Sequence, residues 1–488
     1  MHHPKTGITR REFASRAAKA AVGALALGSG AAASAGVATS SRDTDVRGIR
    51  KIIRYPKALE APLDTPPGKT WRYMLNYPFQ VAPNLAAAYV NFKDCGFRGQ
   101  DFEAGNDIVL FDRVDGLDPR RAHPVSRLEI VPNPNNGGVP AYMNKYPGTL
   151  GFVPFGAKGA DGRPHPHAGT GFVMVSSSAR PVDESEGVTS IGVLRYRGEK
   201  RFERLELYQL SYDGRKFTVG SREIVQGIDL LPGSGHVFEN GGMGCAIPDG
   251  DDLLTGADAR LETGTATAGG LMRWRRTGGS WRPARFDPVS PYDQSLETTV
   301  VRDLDDSLLV HVRARPQLGP PIRLWRRAAE GKPWERKIHL LRMTPSAPIT
   351  LGRAVDGTPF IACNLFQPQI NPTPGYPELE GLTAGGPRGK RSTICINVLN
   401  EARDGFEAQF IARDPLVEFG APPRGSLWAA DHPTASVVRL ADNAWHCVMG
   451  YRMLEWKENT DFVPPCPQTG SYLDEIVSYG SPRPLWNF

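Results

Sequence analysis

Val300-Val301-Arg302-Asp303, a turn at Asp305-Asp306-Ser307, then Leu308-Leu309-Val310-His311-Val312-Arg313-Ala314-Arg315: this stretch decides the fold. From Val310 to Arg315 apolar and polar residues alternate, as expected of a strand with one buried face. A Pro/Gly loop from Pro316 to Pro321 leads into Ile322-Arg323-Leu324-Trp325-Arg326, and a second turn at Glu330-Gly331 delivers Trp334. The pattern predicts a small antiparallel meander whose last strand is led by an aromatic residue.

The same grammar recurs along the chain. Pro248-Asp249-Gly250-Asp251-Asp252-Leu253-Leu254 precedes Leu271-Met272-Arg273-Trp274-Arg275 and Gly278-Gly279-Ser280-Trp281. Asp356-Gly357-Thr358-Pro359-Phe360-Ile361-Ala362 precedes, after a long insertion, Ile394-Cys395-Ile396-Asn397-Val398-Leu399 and Asp404-Gly405-Phe406. Asp442-Asn443-Ala444-Trp445-His446-Cys447-Val448 opens another copy, and Leu205 to Phe217 supplies half of one more. Repeats of roughly 50 to 70 residues built from four short strands are the signature of propeller blades. Gly and Pro make up about a fifth of the chain and helix-period segments are scarce, which fits many short strands joined by turns. The expectation is an all-β propeller of seven four-stranded antiparallel blades, with six as the alternative, and with Trp281 and Trp334 wedged between sheets.

The turns resemble the Asp-box, S-x-D-x-G-x-T-W, of sialidase-like propellers. Ser211-Tyr212-Asp213-Gly214 to Phe217 carries its Ser, Asp, Gly and aromatic; Gly278, Ser280 and Trp281 match in a second turn, and Gly331 and Trp334 in a third. The box is structural, its Asp and Ser accepting backbone N–H groups in a hairpin. Ile52-Ile53-Arg54-Tyr55-Pro56 stands where such enzymes carry an R-I-P strand whose Arg binds a substrate carboxylate, but Tyr55 interrupts the motif. The resemblance implies a carbohydrate-active propeller. The chain also resembles a family of exported bacterial proteins, a likeness that implies no activity.

Thr9-Arg10-Arg11-Glu12-Phe13 followed by the Ala/Gly-rich apolar stretch 17–38 reads as a twin-arginine (Tat) signal, residues 1–38. Residues 46–488 read as one propeller domain. The formal charge is +6, of which +4 lies within residues 1–35, so the remainder is near neutral. With no basic run, nucleic acid is excluded as a partner. No second hydrophobic span appears, so the expected product is periplasmic or secreted, with the Tat translocase as a partner during export and no integral membrane segment after processing. The six cysteines are scattered without CxxC spacing, which argues against zinc; Cys363–Cys395 and Cys447–Cys466 are the nearest pairs for a disulfide.

Two stretches concentrate chemistry. In Arg163-Pro164-His165-Pro166-His167 the proline holds the backbone extended, so His165 and His167 point to one side, suited to proton transfer or to an inert hairpin. Gly233-Ser234-Gly235-His236-Val237-Phe238-Glu239-Asn240 brings an imidazole, a carboxylate and an amide into a glycine-rich turn. His165, His167, His236 and Glu239 are the candidate catalytic residues; Arg163, Asn240, Arg302 and Arg313 are the candidate substrate-binding residues, arginine forks suiting a carboxylate. The two stretches lie about one repeat apart, so they are expected to share one pocket. Asp249-Gly250-Asp251-Asp252 reads as a turn, with a structural calcium or other divalent cation the alternative; no cofactor is required by any motif, and no catalytic metal is expected. No G-x-S-x-G elbow supports a serine hydrolase. The sequence thus points to an exported glycosidase or uronate (polysaccharide) lyase acting on an acidic oligo- or polysaccharide, the alternative being a non-catalytic glycan- or protein-binding propeller.

Overall fold

Six antiparallel sheets follow one another along the chain in the computed structural model. It describes residues 49–54, 71–94, 104–134, 137–138, 140–181, 203–240, 242–293, 296–313, 323–338, 349–364, 393–421, 426–457 and 470–488. The chain divides into units 1–45 and 46–488, and the first lies outside the described residues, as does the Tat-type segment with it. Outside them too fall Tyr55, Cys95, the insertion 365–392, Cys466 and the side chains of Arg54 and Asn240.

Blade 1 is Trp71–Ala82, Leu85–Asp94, Gly105–Phe111 and Ala122–Arg127. Blade 2 is Pro140–Val153, Thr170–Pro181 and Glu203–Tyr212, its outer edge shared by Phe217–Val219 and Glu223–Val225, with short Ile130–Pro132 on the inner side. In blade 3 the inner strand is broken into His236–Asn240 and Ile247–Asp249, both paired with Asp252–Leu261, followed by Thr267–Thr277 and Ser280–Pro288. Blade 4 is Leu296–Arg302, Leu308–Arg313, Leu324–Arg327 and Glu335–Ile338; blade 5 is Thr350–Arg353, Pro359–Asn364, Ile394–Leu399 and Phe406–Arg413. Blade 6, Ser426–Arg439, Trp445–Lys457 and Gly470–Ser478, takes its outermost strand from the other end of the chain, Ile49–Arg54. Successive blades pack through their first two strands, and blade 6 packs on blade 1, so the ring closes.

The seven-blade expectation is therefore corrected to six. A mean repeat length misleads here because blade 2 runs from residue 130 to 225, with a long hairpin at 154–169 and extra edge strands. The four-strand grammar itself holds, and the acidic turns do what their chemistry dictates. Asp213 accepts the N–H groups of Arg215 (2.8 Å) and Lys216 (2.7 Å), Asp305 that of Ser307, Asp356 that of Thr358 and Asp442 that of Ala444. Each is an Asx-type turn, and a left-handed residue completes several, such as Gly214 (φ 92°), Gly357 (φ 91°) and Asn443 (φ 61°).

The core lies in layers between the blades. Trp281 is fully buried against blade 2: its indole N–H donates to Thr170 (3.1 Å), and its backbone N–H and C=O clip the Gln209 amide. Phe172 stacks on Trp274 at 3.9 Å. Trp334 is only half-buried and lies under the Arg327 guanidinium at 4.5 Å, so the wedge role expected of it is weaker. Cys363 and Cys395 are direct cross-strand partners but are free thiols, as are Cys245 and Cys447.

Candidate active site

The ring has two unlike ends. At the hairpin end lie the turns joining each blade's first two strands; at the connection end lie the crossings from second to third strand and from blade to blade. At the hairpin end the inner strands are regular except in blade 1, where the register shifts between Gln80 and Ala82. Toward the connection end, bulges interrupt them between Tyr73 and Asn76, Pro147 and Leu150, Leu296 and Thr299, and Asp431 and Thr434, while blade 3's inner strand breaks completely. Bulges re-aim side chains and collect beside active sites. Two of these carry a non-glycine residue in the left-handed region, Glu297 (φ 52°) and His432 (φ 53°), a conformation that surrounding structure must enforce.

The break in blade 3 puts a plug across the axis. Ala246 N–H donates to Leu150 of blade 2 (2.7 Å), the Cys245 thiol donates to Pro78 of blade 1 (3.2 Å), and Met243 N–H donates to Thr298 of blade 4 (3.0 Å). The Tyr77 hydroxyl reaches the Met243 sulfur at 3.5 Å. The glycine-rich stretch thus serves close approach: a Cβ on Gly242 would lie 2.5 Å from the Gly256 backbone, and one on Gly256, in the next strand, 1.9 Å from the Thr298 carbonyl oxygen.

That approach brings two carboxyl groups together across the seam of blades 3 and 4. Asp258 accepts the Glu297 N–H at 2.6 Å through one oxygen and pairs with the Thr298 hydroxyl at 2.7 Å through the other. Burial pushes Asp258 up to about 7, against its two hydrogen bonds and with help from the charges of Glu297 and Glu239. The Glu297 carboxylate holds the Arg313 guanidinium. Around them, Glu239 pairs with Arg260 at 3.2 Å, Arg323 with Asp293, and the His236 ring meets the Tyr292 hydroxyl at 2.6 Å.

On the other side of the plug, blade 2 buries a second charged cluster. Glu206, fully buried, meets Lys145 at 2.5 Å, Ser177 at 2.9 Å, Arg204 at 3.0 Å and Tyr208 at 2.8 Å. Burial opposes the charge on Glu206, but Lys145 and these donors hold its carboxyl below the usual range. Glu129 joins Lys145, Arg204 and Arg222, so three cations face two carboxylates.

The residues singled out in the sequence divide between the two ends. His236, Glu239 and Arg313 lie at the connection end, where the Asn240 backbone sits in register with Asp258. His165, His167, Arg163 and Arg302 lie at the hairpin end. His165 contacts Gly250 (3.3 Å), just before the strand Asp252–Leu261, whereas His236 pairs with Leu261 at the far end of that strand. At about 3.3 Å per residue the separation is roughly 30 Å, so the shared pocket is overturned. The physical reason is the hairpin: Pro164 to Gly169 turn the first strand of blade 2 into its second, whereas His236 enters blade 3 from the opposite end. There His165 and His167 pack on Trp486 and Trp281, burial lowers the His167 pKa, and Arg302 binds Asp249 at 3.2 Å. Arg163 is exposed beside Asp161, while Asp249 and Asp252 hold Arg273 and Arg275. No group of three metal-ligating side chains occurs among the described residues. No helix among them is long and apolar enough to cross a membrane.

Sequence reasoning missed Asp258 and Glu297. The available signal was an aspartate set in a run of small residues, Gly256-Ala257-Asp258-Ala259, where other acids of the repeat stand in turns.

No protein-family model and no curated protein sequence matches the chain. Solved structures similar to it include a protein of unknown function from Dyadobacter fermentans (12% identity over 87% of this chain and 99% of that one, TM-score 0.49). A Hadza microbial sialidase matches at 11% over 83% and 66% (TM-score 0.45), and an α-L-arabinofuranosidase from Fusarium graminearum at 11% over 87% and 98% (TM-score 0.41). The strand order given above defines the propeller independently of these likenesses.

Proposed function

We propose that this propeller is a glycan-cleaving enzyme in which Asp258 delivers a proton and Glu297 acts as its ionised partner. The observation that carries the reading is the opposed environment of two adjacent carboxyl groups. One is buried, and burial pushes it up to about 7; the other is bound to Arg313. Glycoside cleavage needs that division, an acid to protonate the leaving oxygen and a carboxylate to attack the anomeric carbon or activate water. The Thr298 hydroxyl donates to Asp258 at rest, and protonated Asp258 gives its proton to the glycosidic oxygen when substrate displaces that contact. The excess cation of the Lys145–Arg204–Arg222 cluster supports an acidic sugar as substrate. Export through the Arg10-Arg11 signal would place the enzyme in the periplasm or medium; cell fractionation of an Arg10→Lys, Arg11→Lys variant tests this.

A second reading, a binding propeller, is favoured by one observation: Asp258 is only 2% exposed and both its oxygens are satisfied, as in a structural tie between blades. Hydrolysis of uronate-containing, sialylated and neutral glycans by the parent, Asp258→Asn and Glu297→Gln separates the two. The enzyme reading expects each variant to lose about 100-fold or more, with Asp258→Asn recovering on aryl glycosides whose leaving group needs no proton. Binding without turnover by the parent on every substrate supports the alternative. An ultraviolet-absorbing unsaturated product instead marks a lyase.

A further inference from the structure

Asp258 is 2% exposed and both its oxygens are engaged, so a proton given to a substrate has no direct way back from water. Regenerating the acid requires a neighbour that touches solvent. The bulge between Phe238 and Asn240 supplies one. There Phe238 pairs with Ala259 and Asn240 with Asp258, so Glu239 is the extra residue and opposes Asp258 together with Asn240. Residues opposed across antiparallel strands keep their Cα atoms about 4.5–5.5 Å apart, which brings the two carboxyl groups within reach of each other directly or through a bridging water.

Arg260 fixes the side that Glu239 takes. Asp258 and Arg260 stand two residues apart on one strand and share a face, the one on which Asp258 meets Thr298 of blade 4. Arg260 Nε donates to Glu239 at 3.2 Å, while its Nη1 is anchored on the carbonyls of Leu261 (3.4 Å) and Gly264 (3.2 Å). The Glu239 side chain is thereby held on the Asp258 face, and it stays 40% exposed. Its charge reaches Asp258, being one of the two that help push that carboxyl up. The other charged and titratable groups nearby are engaged elsewhere. Glu297 is nearly buried and locked to Arg313, and Asp293 is held by Arg323 through both oxygens. His236 lies on the opposite face with Phe238, its ring nitrogens taken by the Ser234 carbonyl (2.8 Å) and the Tyr292 hydroxyl (2.6 Å).

We propose that Glu239 is a proton relay that recharges Asp258 from solvent after each transfer to substrate. The inference rests on the reading of Asp258 as the acid. Hydronium gives its proton to Glu239 and leaves as water, the proton moves on to the Asp258 carboxylate, and Glu239 returns to its pair with Arg260. The net change is one hydronium and one carboxylate converted to water and a carboxylic acid. Glu239 acts through Asp258 and never on the sugar, which makes it a positioning residue.

The test uses no substrate. The protein is dropped rapidly from pH 8.5 to 6 in a bulky buffer, and the rise of the protonated Asp258 band is timed by infrared absorption. Glu239→Gln should slow that rise about tenfold or more, with the circular-dichroism spectrum unchanged, while Glu239→Asp keeps most of the rate. Imidazole or formate, small enough to enter the site, should restore the rate of Glu239→Gln, a rescue that a merely structural defect would not show. A Glu239→Gln rate equal to that of the parent overturns the relay, as does a slowed rate that neither imidazole nor formate raises. An Asp258 band that titrates at the ordinary aspartate value overturns the relay together with the reading beneath it. A parent that cleaves no glycan yet takes up its proton through Glu239 loses the proposed activity and keeps the relay.

Discussion

The backbone N–H of Glu297 donates to the Asp258 carboxyl at 2.6 Å, across the seam between the third and fourth blades. One bond thereby fixes a left-handed bulge residue in an inner strand and seats a buried acid next to it.

The raised pKa of Asp258 has a consequence for stability. Between its unfolded value, 3.8, and its folded value, about 7, the folded protein holds a proton that the unfolded chain has released. The unfolded state then binds fewer protons, so stability falls as pH rises through that window, by up to about 4 kcal/mol. Asp258→Asn should lack this decline. Chemical denaturation of both proteins from pH 4.5 to 8 checks it, and parallel curves would contradict it.

His446 works through a different pair. Its Nδ1 lies 2.8 Å from Glu475, whose hydrogen bond raises the imidazole pKa above 6.5, with Asp442 adding to the effect. The stabilisation is fully present below 6.5 and is lost as pH rises through the folded value. His446→Gln should therefore lower Tm more at pH 5.5 than at pH 8.5, where parent and variant converge.

Trp281→Ala should cost roughly 3–5 kcal/mol, the penalty for a large fully buried aromatic. Trp334→Ala should cost only about 1 kcal/mol, since the ring is half-buried and its main partner is a stacked arginine. Equal losses in urea titrations would contradict the packing described.

Lys145→Met removes the shortest of the cation contacts to buried Glu206, leaving Arg204 and Arg222, and should destabilise by roughly 3 kcal/mol. Adding Glu206→Gln should restore part of the loss. A double variant no better than the single one would show that the remaining arginines already satisfy the cluster.

How much of this was legible can be argued from particular residues. Alternation and turn chemistry are local, so the hairpins at Asp249-Gly250, Asp305-Asp306 and Asp356-Gly357 and the buried Trp281 were readable from the chain. Blade count depends on connection length, which blade 2 distorts. Which end of a blade a residue occupies depends on strand direction, and there the reading of His165 with His236 failed. Asp258 and Glu297 meet only because Gly256 lets the second strand of blade 3 approach the inner strand of blade 4 and because a bulge turns Glu297; neither leaves a mark at any fixed spacing.

The central claim is that Asp258 carries a proton near neutral pH. Infrared difference spectra of parent minus Asp258→Asn across pH 3 to 9 measure this directly, without any substrate. The account predicts a protonated-carboxyl band that disappears with a midpoint near 7. A midpoint at the ordinary aspartate value, about 4, would contradict it.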